Sequence, residues 1–477
     1  MSTISCQYSM EDQKAFSSLS GDWNPIHVDP VIARRLISGG VLVHGIHVVL
    51  TALEQRFSFA LSPASLSSLR IVFHRPVRVG ARVVCDSRFQ GSTHSEHLLY
   101  VDGMLSVKIK ARWRVGGDTF ENSKVQLPEF QEDQFESPQS LEWGEIETMR
   151  GGVPLYLPLD SVRTLFPKLS GHLPLLQMAF LLATTRLVGM ICPGLHSVYG
   201  KLQLDFSETC EQDIPILSYK VTETDVRFRH VEMEVNGPGV AGRVIAYRRP
   251  EIVVQPSLSQ VRDQVSPECF DGLRALVIGG SRGLGETAAK ILACGGASVW
   301  ITYCQGQVDA EKLVKELGTE GVDVDCCVCD VLNVISVQDA IKKMRWVPNV
   351  LLYFASPFIQ THQGSFSHLL YEEFSRVYVG GLANTVEAIR GVSQESLIIW
   401  YPSTVFIDQP QPMLLEYSTA KAAGEALCFQ LGNTLDGVRC YVPRLPRLPT
   451  DQTAGLVDAV MPDVLEVMMA AMDVLKK

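Results

Sequence analysis

Cysteine is sparse: 12 in 477 residues, too few for a disulfide scaffold in so long a chain. Cys326, Cys327 and Cys329 crowd one expected strand, but no Cys-x-x-Cys pair is matched by a second pair or a histidine pair. They read as buried thiols of a reducing compartment rather than zinc ligands, and no metal is expected. Basic charge is also short. Lys+Arg is 42 against 52 Asp+Glu, a net charge of −10, which argues against binding nucleic acid by phosphate neutralisation. A long uninterrupted apolar run is missing too. The nearest, Leu173 to Cys192, contains Pro174, Gln177, Thr184, Thr185 and Arg186. A helix wrapped inside a soluble domain is expected there, and no membrane span. Met1 to Phe16 is polar and acidic, unlike a secretory leader, and Leu475-Lys476-Lys477 carries no peroxisomal or prenylation tag, so a cytoplasmic location is expected. The remainder, 46% hydrophobic and 20% charged, is ordinary globular chemistry. At about 150 residues per domain it predicts three domains.

The pattern along the chain divides as expected: residues 1–125, 140–250, a Pro-containing linker over 251–269, and 270–477. The first two blocks look like cousins. Each has a mostly apolar helical stretch, Val43 to Phe57 and Leu173 to Met190. Each then has an alternating strand, Leu69 to Phe73 and Leu202 to Phe206. Further strand-like segments follow, Val79 to Phe89 and His97 to Val115 in one, Ile216 to Thr222 and Val226 to Val235 in the other. One helix followed by a run of antiparallel strands predicts a helix wrapped by a sheet, with the two copies pairing side by side. Gly116 to Gln139 between them is polar and acidic, as a surface crossing is. The last block alternates strand and helix, which predicts a parallel sheet with helices on both faces.

Ser20-Gly21-Asp22-Trp23-Asn24-Pro25-Ile26-His27 brings a carboxylate, an amide and an imidazole into six positions. Across a turn held by Pro25, Asp22 and His27 can reach one water molecule, as general acid–base chemistry requires. The plainer reading is an Asx turn with an incidental histidine. With Gly39-Gly40-Val41-Leu42-Val43-His44-Gly45 downstream, the stretch resembles the MaoC-type hydratase and dehydratase family, whose Gly-Asp-x-Asn-Pro-x-His signature is complete here. The resemblance implies a hot-dog fold with Asp22 and His27 as the catalytic pair. It makes Asn24 the residue that orients the loop, and puts the Gly45 N–H on the thioester oxygen. The second block has no such loop and is the non-catalytic half of a double hot dog in this resemblance. Its His172 and His196 are expected to be structural.

Gly279-Gly280-Ser281-Arg282-Gly283-Leu284-Gly285 follows a strand and opens a helix, the context in which glycines let a backbone approach a pyrophosphate. Tyr417 and Lys421 lie one helical turn apart on one face, so the ammonium can lower the phenol's pKa. Together these resemble the short-chain dehydrogenase/reductase family, implying an α/β Rossmann fold, a doubly wound parallel sheet. The resemblance makes Tyr417 the proton donor and Lys421 the group that holds the nicotinamide ribose. Its serine falls at Ser403 or Thr404, both of which stay open. Asp330 matches the adenine-contacting acid. Ala355 lies in Tyr353-Phe354-Ala355-Ser356, where the family has Asn-Asn-Ala-Gly, and Thr450 keeps the threonine of the late nicotinamide loop. Ser281, Gly283 and Leu284 complete the expected cofactor turn. The family's helix asparagine is replaced by Gly381, with Asn384 about one turn later. The second strand ends Thr302-Tyr303-Cys304-Gln305 without an acid for a ribose 2′-hydroxyl, whereas Arg282 can meet a 2′-phosphate, so NADPH is expected.

A carbonyl reductase and a dehydratase share a 3-hydroxyacyl thioester. The expected function is therefore NADPH-dependent reduction of a 3-oxoacyl thioester followed by dehydration to the trans-2-enoyl thioester. The substrate rides on coenzyme A or an acyl carrier protein. Hydration followed by oxidation, the β-oxidation direction, is one alternative. A dehydratase beside a non-catalytic nucleotide-binding scaffold is another. Both families usually self-associate, so a homo-oligomer is among the expected partners.

Overall fold

The computed structural model describes residues 2–36, 38–58, 64–115, 127, 137–207, 215–319, 321–455 and 459–476. The expected end of the first domain at 125 and most of the crossing from Gly116 to Gln139 lie outside the described residues. The chain forms two compact units that divide between Glu251 and Ile252.

In the first unit, ten strands among the described residues form one sheet. They are β1 (Ser2–Gln7), β2 (Ala64–Phe73), β3 (Arg82–Gln90), β4 (His94–Val101), β5 (Met104–Val115), β6 (Arg150–Pro154), β7 (Ser197–Phe206), β8 (Ile216–Asp225), β9 (His230–Gly237) and β10 (Val240–Arg248). Their order is β1-β3-β4-β5-β2-β7-β10-β9-β8-β6, and neighbours run antiparallel. The two halves meet where β2 pairs with β7, Leu69 opposite Leu204 and Ile71 opposite Leu202. All four side chains are buried, as period-2 alternation places them. Each half wraps one helix, Gly45–Glu54 or Leu175–Arg186. In the second, every residue from Gln177 to Thr185 is buried, so this helix is enclosed on all sides and is far too short to span a bilayer. Indeed no helix among the described residues is long and apolar enough to cross a membrane. Full burial of a leucine such as Leu181 stabilises the fold by about 2 kcal/mol.

Two turns interrupt expected strands. Asp102 and Gly103 both have positive φ (51° and 75°), the conformation a two-residue hairpin turn needs, so His97 to Val115 belongs to two strands. Val226 to Arg229 is the turn between β8 and β9 rather than strand, with Val226 50% and Phe228 59% exposed. The alternation there reflects a reversal with apolar tips, not a buried face.

In the second unit, β11 (Arg274–Ile278), β12 (Ser298–Tyr303), β13 (Val324–Val328), β14 (Val350–Tyr353), β15 (Leu397–Trp400) and β17 (Val438–Tyr441) form a parallel sheet. A short parallel pair, β16 (Ser403–Thr404) and β18 (Arg444–Leu445), stands apart from it. The sheet order β13-β12-β11-β14-β15-β17 is that of a doubly wound dinucleotide-binding fold, with its switch point between β11 and β14. Ala275 and Val277 enter one core, while Leu276 and Ile278 enter the other. The stretch expected as a linker departs from expectation. Ser257 caps the helix Leu258–Arg262 in a capping box with Gln260, Val261 is fully buried, and Lys290 Nζ donates to Pro256 O at 3.1 Å. From Ile252 onward it is packed into the second unit, because its prolines precede a helix start rather than extend a free chain.

Candidate active sites

The helix Met10–Ser20 ends at Gly21 in the left-handed region (φ 75°), which turns the chain into the Asp22–His27 loop. Asn24 caps the short helix Pro25–Val28 by accepting from Ile26 N at 3.2 Å. Its buried amide Nδ2 donates to Gly189 O at 2.8 Å, Gly194 O at 3.1 Å and Leu195 O at 3.2 Å, all from the second half of the first unit, in the stretch just before β7. His27 Nδ1–H donates to Leu42 O at 2.8 Å, which leaves Nε2 as the unprotonated nitrogen of a neutral ring. Asp22 is buried, and Thr185 Oγ1 donates to its Oδ2 at 2.8 Å. Burial raises the Asp22 pKa against the opposing pull of His27 and Thr185, and burial lowers that of His27. Gly45 begins the helix Gly45–Glu54, so its N–H has no intrahelical acceptor; a Cβ there meets the Phe73 ring at 2.8 Å.

Atoms of Asp22, His27 and His44 lie within 4.8 Å of one another. That spacing suits a metal, but the His44 ring is already engaged. Its Nδ1 is 3.0 Å from Gln13 Oε1 and its Nε2 is 3.0 Å from Asp22 O, while its ring stacks on His27 at 3.8 Å.

Sequence reasoning missed Thr185 and Gly189. Both come from the half expected to take no part in the site. A π-helical turn, Leu187–Ile191, follows the enclosed helix and brings Gly189 so close that a Cβ falls 2.2 Å from Asp22 Oδ1. The polar breaks at Thr184 and Thr185 in an otherwise apolar run were the available signal. His172 donates from Nδ1 to Lys168 O at 2.8 Å and stacks on Phe57.

In the second unit, Gly279 (φ 74°) and Gly283 (φ 59°) shape the turn after β11, and the helix Gly283–Cys294 follows it. A Cβ on Gly285 meets Gly279 O at 2.3 Å, and one on Gly279 meets Ala355 N at 3.1 Å. Gly279, Gly285 and Ala355 are therefore brought together, and the Thr450 methyl lies 3.9 Å from a Cβ built on Gly283. Ser281 is buried in this turn and Leu284 is half-buried on the helix's first turn. Asp330 follows β13 and accepts from Leu332 N at 3.0 Å. Arg282 is paired with buried Asp451 at 3.2 Å. Burial pushes the thiol of Cys326, on β13, up to about 11 and that of Cys329, which follows the strand, up to about 12.

Tyr417 and Lys421 share the helix Leu415–Thr434. Burial pushes the Tyr417 phenol up to about 12, opposed by a hydrogen bond with Thr404. Lys421 Nζ donates to Pro402 O at 2.8 Å and lies over the rings of Tyr378 (4.2 Å) and Tyr401 (4.8 Å). Burial lowers it to about 7. The two candidate hydroxyls separate: Thr404 faces Tyr417, whereas Ser403 Oγ donates to Glu425, itself bound by Arg444. Adjacent residues of a strand point to opposite faces, so both cannot reach one phenol. Thr404→Val is expected to lower reductase kcat about 10²-fold, the scale of losing one oriented hydroxyl, with Ser403→Ala near wild type in the same assay. Asn384 Nδ2 donates to Val331 O at 3.0 Å. At Gly381 the space for a side chain is occupied by the Tyr353 hydroxyl, 2.3 Å from a built Cβ and donating to Val377 O at 2.7 Å.

Family comparison matches a MaoC like domain to residues 2–105 and a short chain dehydrogenase to residues 274–443. The mitochondrial 3-hydroxyacyl-(acyl-carrier-protein) dehydratase of Arabidopsis thaliana is 35% identical over 78 residues, 16% of this chain and 46% of that protein. The short chain dehydrogenase/reductase AacuN of Aspergillus aculeatus is 30% identical over 168 residues, 33% of this chain and 61% of that protein. The chain spans about three fifths of the length of the curated dehydrogenases it matches. Among solved structures, a short chain dehydrogenase from Burkholderia cenocepacia in complex with NADP is 21% identical at a TM-score of 0.40, covering 44% of this chain and 92% of that one. The chain thus carries a MaoC-like dehydratase domain followed by a short-chain dehydrogenase domain.

Proposed function

We propose that this chain reduces a 3-oxoacyl thioester with NADPH and dehydrates the resulting (R)-3-hydroxyacyl thioester to the trans-2-enoyl thioester. The observation that carries the reading is the presence, on one chain, of a buried Asp22/His27 pair and a Tyr417/Lys421/Thr404 group, whose reactions share one intermediate. The glycine turn, packed so closely that a Cβ on Gly285 would strike Gly279 O at 2.3 Å, leads into a helix N-terminus, and that arrangement fits a dinucleotide pyrophosphate. When bound, NADPH supplies hydride to C3. Tyr417 donates its phenolic proton to the carbonyl oxygen, and its raised pKa keeps that proton in place at neutral pH. Lys421 holds the nicotinamide ribose and Asp330 the adenine. The lack of an acid after β12 supports NADPH, with Arg282 sharing its guanidinium between Asp451 and a 2′-phosphate.

In the first unit the two halves form a double hot dog that accommodates the acyl chain. His27 Nε2 takes the C2 proton and Asp22 gives a proton to the departing hydroxyl, which leaves as water. The Gly45 N–H, at a helix N-terminus, stabilises the negative charge on the thioester oxygen. The Arabidopsis relative's name supports a carrier-protein thioester, and coenzyme A offers the same reacting atoms.

Incubation with acetoacetyl thioesters of coenzyme A and of carrier protein, followed by mass spectrometry, tests the reading. NADPH-dependent appearance of 3-hydroxybutyryl and then crotonyl thioester is expected; no turnover of either thioester overturns it. A second reading, a nucleotide-binding scaffold without turnover, is favoured by Gly381, where the Tyr353 hydroxyl leaves no space for the asparagine side chain.

A further inference from the structure

We propose that Arg249, from the second half of the first unit, is a positioning residue of the Asp22/His27 site, acting through its buried charge and through a carbonyl oxygen shared with Asn24. The inference rests on the dehydratase reading above. Arg249 is 2% exposed. Its Nη2 donates to Leu195 O at 2.7 Å, the same oxygen that accepts from Asn24 Nδ2 at 3.2 Å. A carbonyl has two lone pairs, so one oxygen serves both donors. Nη1 donates to Pro250 O at 3.4 Å, and Nε is buried without an acceptor among the described residues. The neighbouring carboxylate, Glu251, is bound by Arg248 at 2.9 Å. The Arg249 guanidinium is therefore held by carbonyl dipoles, a costly arrangement for a cation out of water. A site with that cost and no direct ion pair among the described residues points to an electrostatic task.

The groups acting on His27 come from three places. Asp22 lies on its own loop, His44 caps the next helix and stacks on the ring, and Arg249 belongs to the second half. Asp22 in turn feels Thr185 and Arg186. Around Arg249 stand Arg248, Glu251 and His196, whose backbone oxygen accepts from Arg249 N at 2.6 Å. Asp22 draws a proton onto the imidazole and Arg249 opposes it. Burial is the largest influence that keeps the ring neutral and Nε2 a base, and Arg249 adds to it against the pull of Asp22.

The test follows dehydration of (R)-3-hydroxybutyryl thioesters, on coenzyme A and on carrier protein, by the full chain from pH 5 to 9. The wild-type acidic limb is expected below 6.5, the ordinary imidazole value. Arg249→Gln is expected to move that limb up by about one pH unit, the scale of removing a nearby buried like charge, and Arg249→Lys to return it. A lower plateau in Arg249→Gln with an unmoved limb overturns the proposal, as does a limb in Arg249→Lys that matches Arg249→Gln. If Arg249→Gln does not fold, Arg249→Met, uncharged and of similar length, decides in the same assay: a limb at the wild-type position overturns the proposal. A wild-type chain inactive on both thioesters overturns the dehydratase reading and the inference with it, whereas an active chain with an unmoved limb overturns the inference alone.

Discussion

His27→Ala is expected to reduce dehydration about 10²–10⁴-fold, the range over which a positioned acid or base contributes, and to leave NADPH oxidation unchanged. Asp22→Asn removes the acid with little change in volume, and the same loss is expected. Asn24 makes the result interpretable. Its three carbonyl contacts and its cap on the helix Pro25–Val28 hold the loop without either reacting side chain. A variant that binds substrate normally but fails to dehydrate it therefore reports chemistry rather than a misplaced loop. The measurement is loss of the enoyl product by mass spectrometry, with accumulation of the 3-hydroxyacyl thioester. Equal loss of both activities in a folded His27→Ala chain counts against two separate sites.

Tyr417→Phe is expected to abolish reduction, with a fall of about 10²–10⁴-fold, while dehydration of supplied 3-hydroxyacyl thioester continues. The variant deletes one oxygen from a ring that packs edge-on against Phe374 and Tyr378 at 5.8 and 5.9 Å, so packing survives. Wild-type NADPH oxidation already near zero and unchanged in Tyr417→Phe supports the scaffold reading instead. The pH dependence gives a second readout. The phenol, raised to about 12, stays protonated across neutral pH, so proton donation itself is flat there. Lys421, lowered to about 7 by burial, is charged below that pH and loses its charge above it. KM for NADPH is therefore expected to rise as pH increases through neutrality, because the ammonium that meets the ribose is disappearing. A KM that falls over the same range contradicts this role for Lys421.

The parts legible in the sequence are those whose geometry is local. Asp22, Asn24 and His27 occupy six positions on one proline-bounded loop, so their convergence needs no distant contact. Tyr417 and Lys421 meet because residues four apart share a helix face. The glycine turn reads from its place between β11 and the helix Gly283–Cys294. The alternation of Leu69 to Phe73 and of Leu202 to Phe206 marks strands whose inward residues then pair.

Only the tertiary structure decided how those local groups are completed. Thr185 reaches Asp22 across 163 positions, and no periodicity links them. The π-helical turns Leu187–Ile191 and Arg376–Gly381 each admit an extra residue, which rotates the following side chains by about 100° and defeats a 3.6-residue projection. Tyr353 filling the space at Gly381, Asn384 turning to Val331, and Thr404 rather than Ser403 facing Tyr417 depend on which neighbouring volume is occupied. Arg282 was legible as a cation in a phosphate-binding turn, but its pairing with Asp451 was not. The sequence alone determined which side chains gather at the two candidate sites and the two kinds of sheet, because short-range spacing sets them. The tertiary structure decided which distant side chains tune those groups, because burial and close approach are properties of the packed chain.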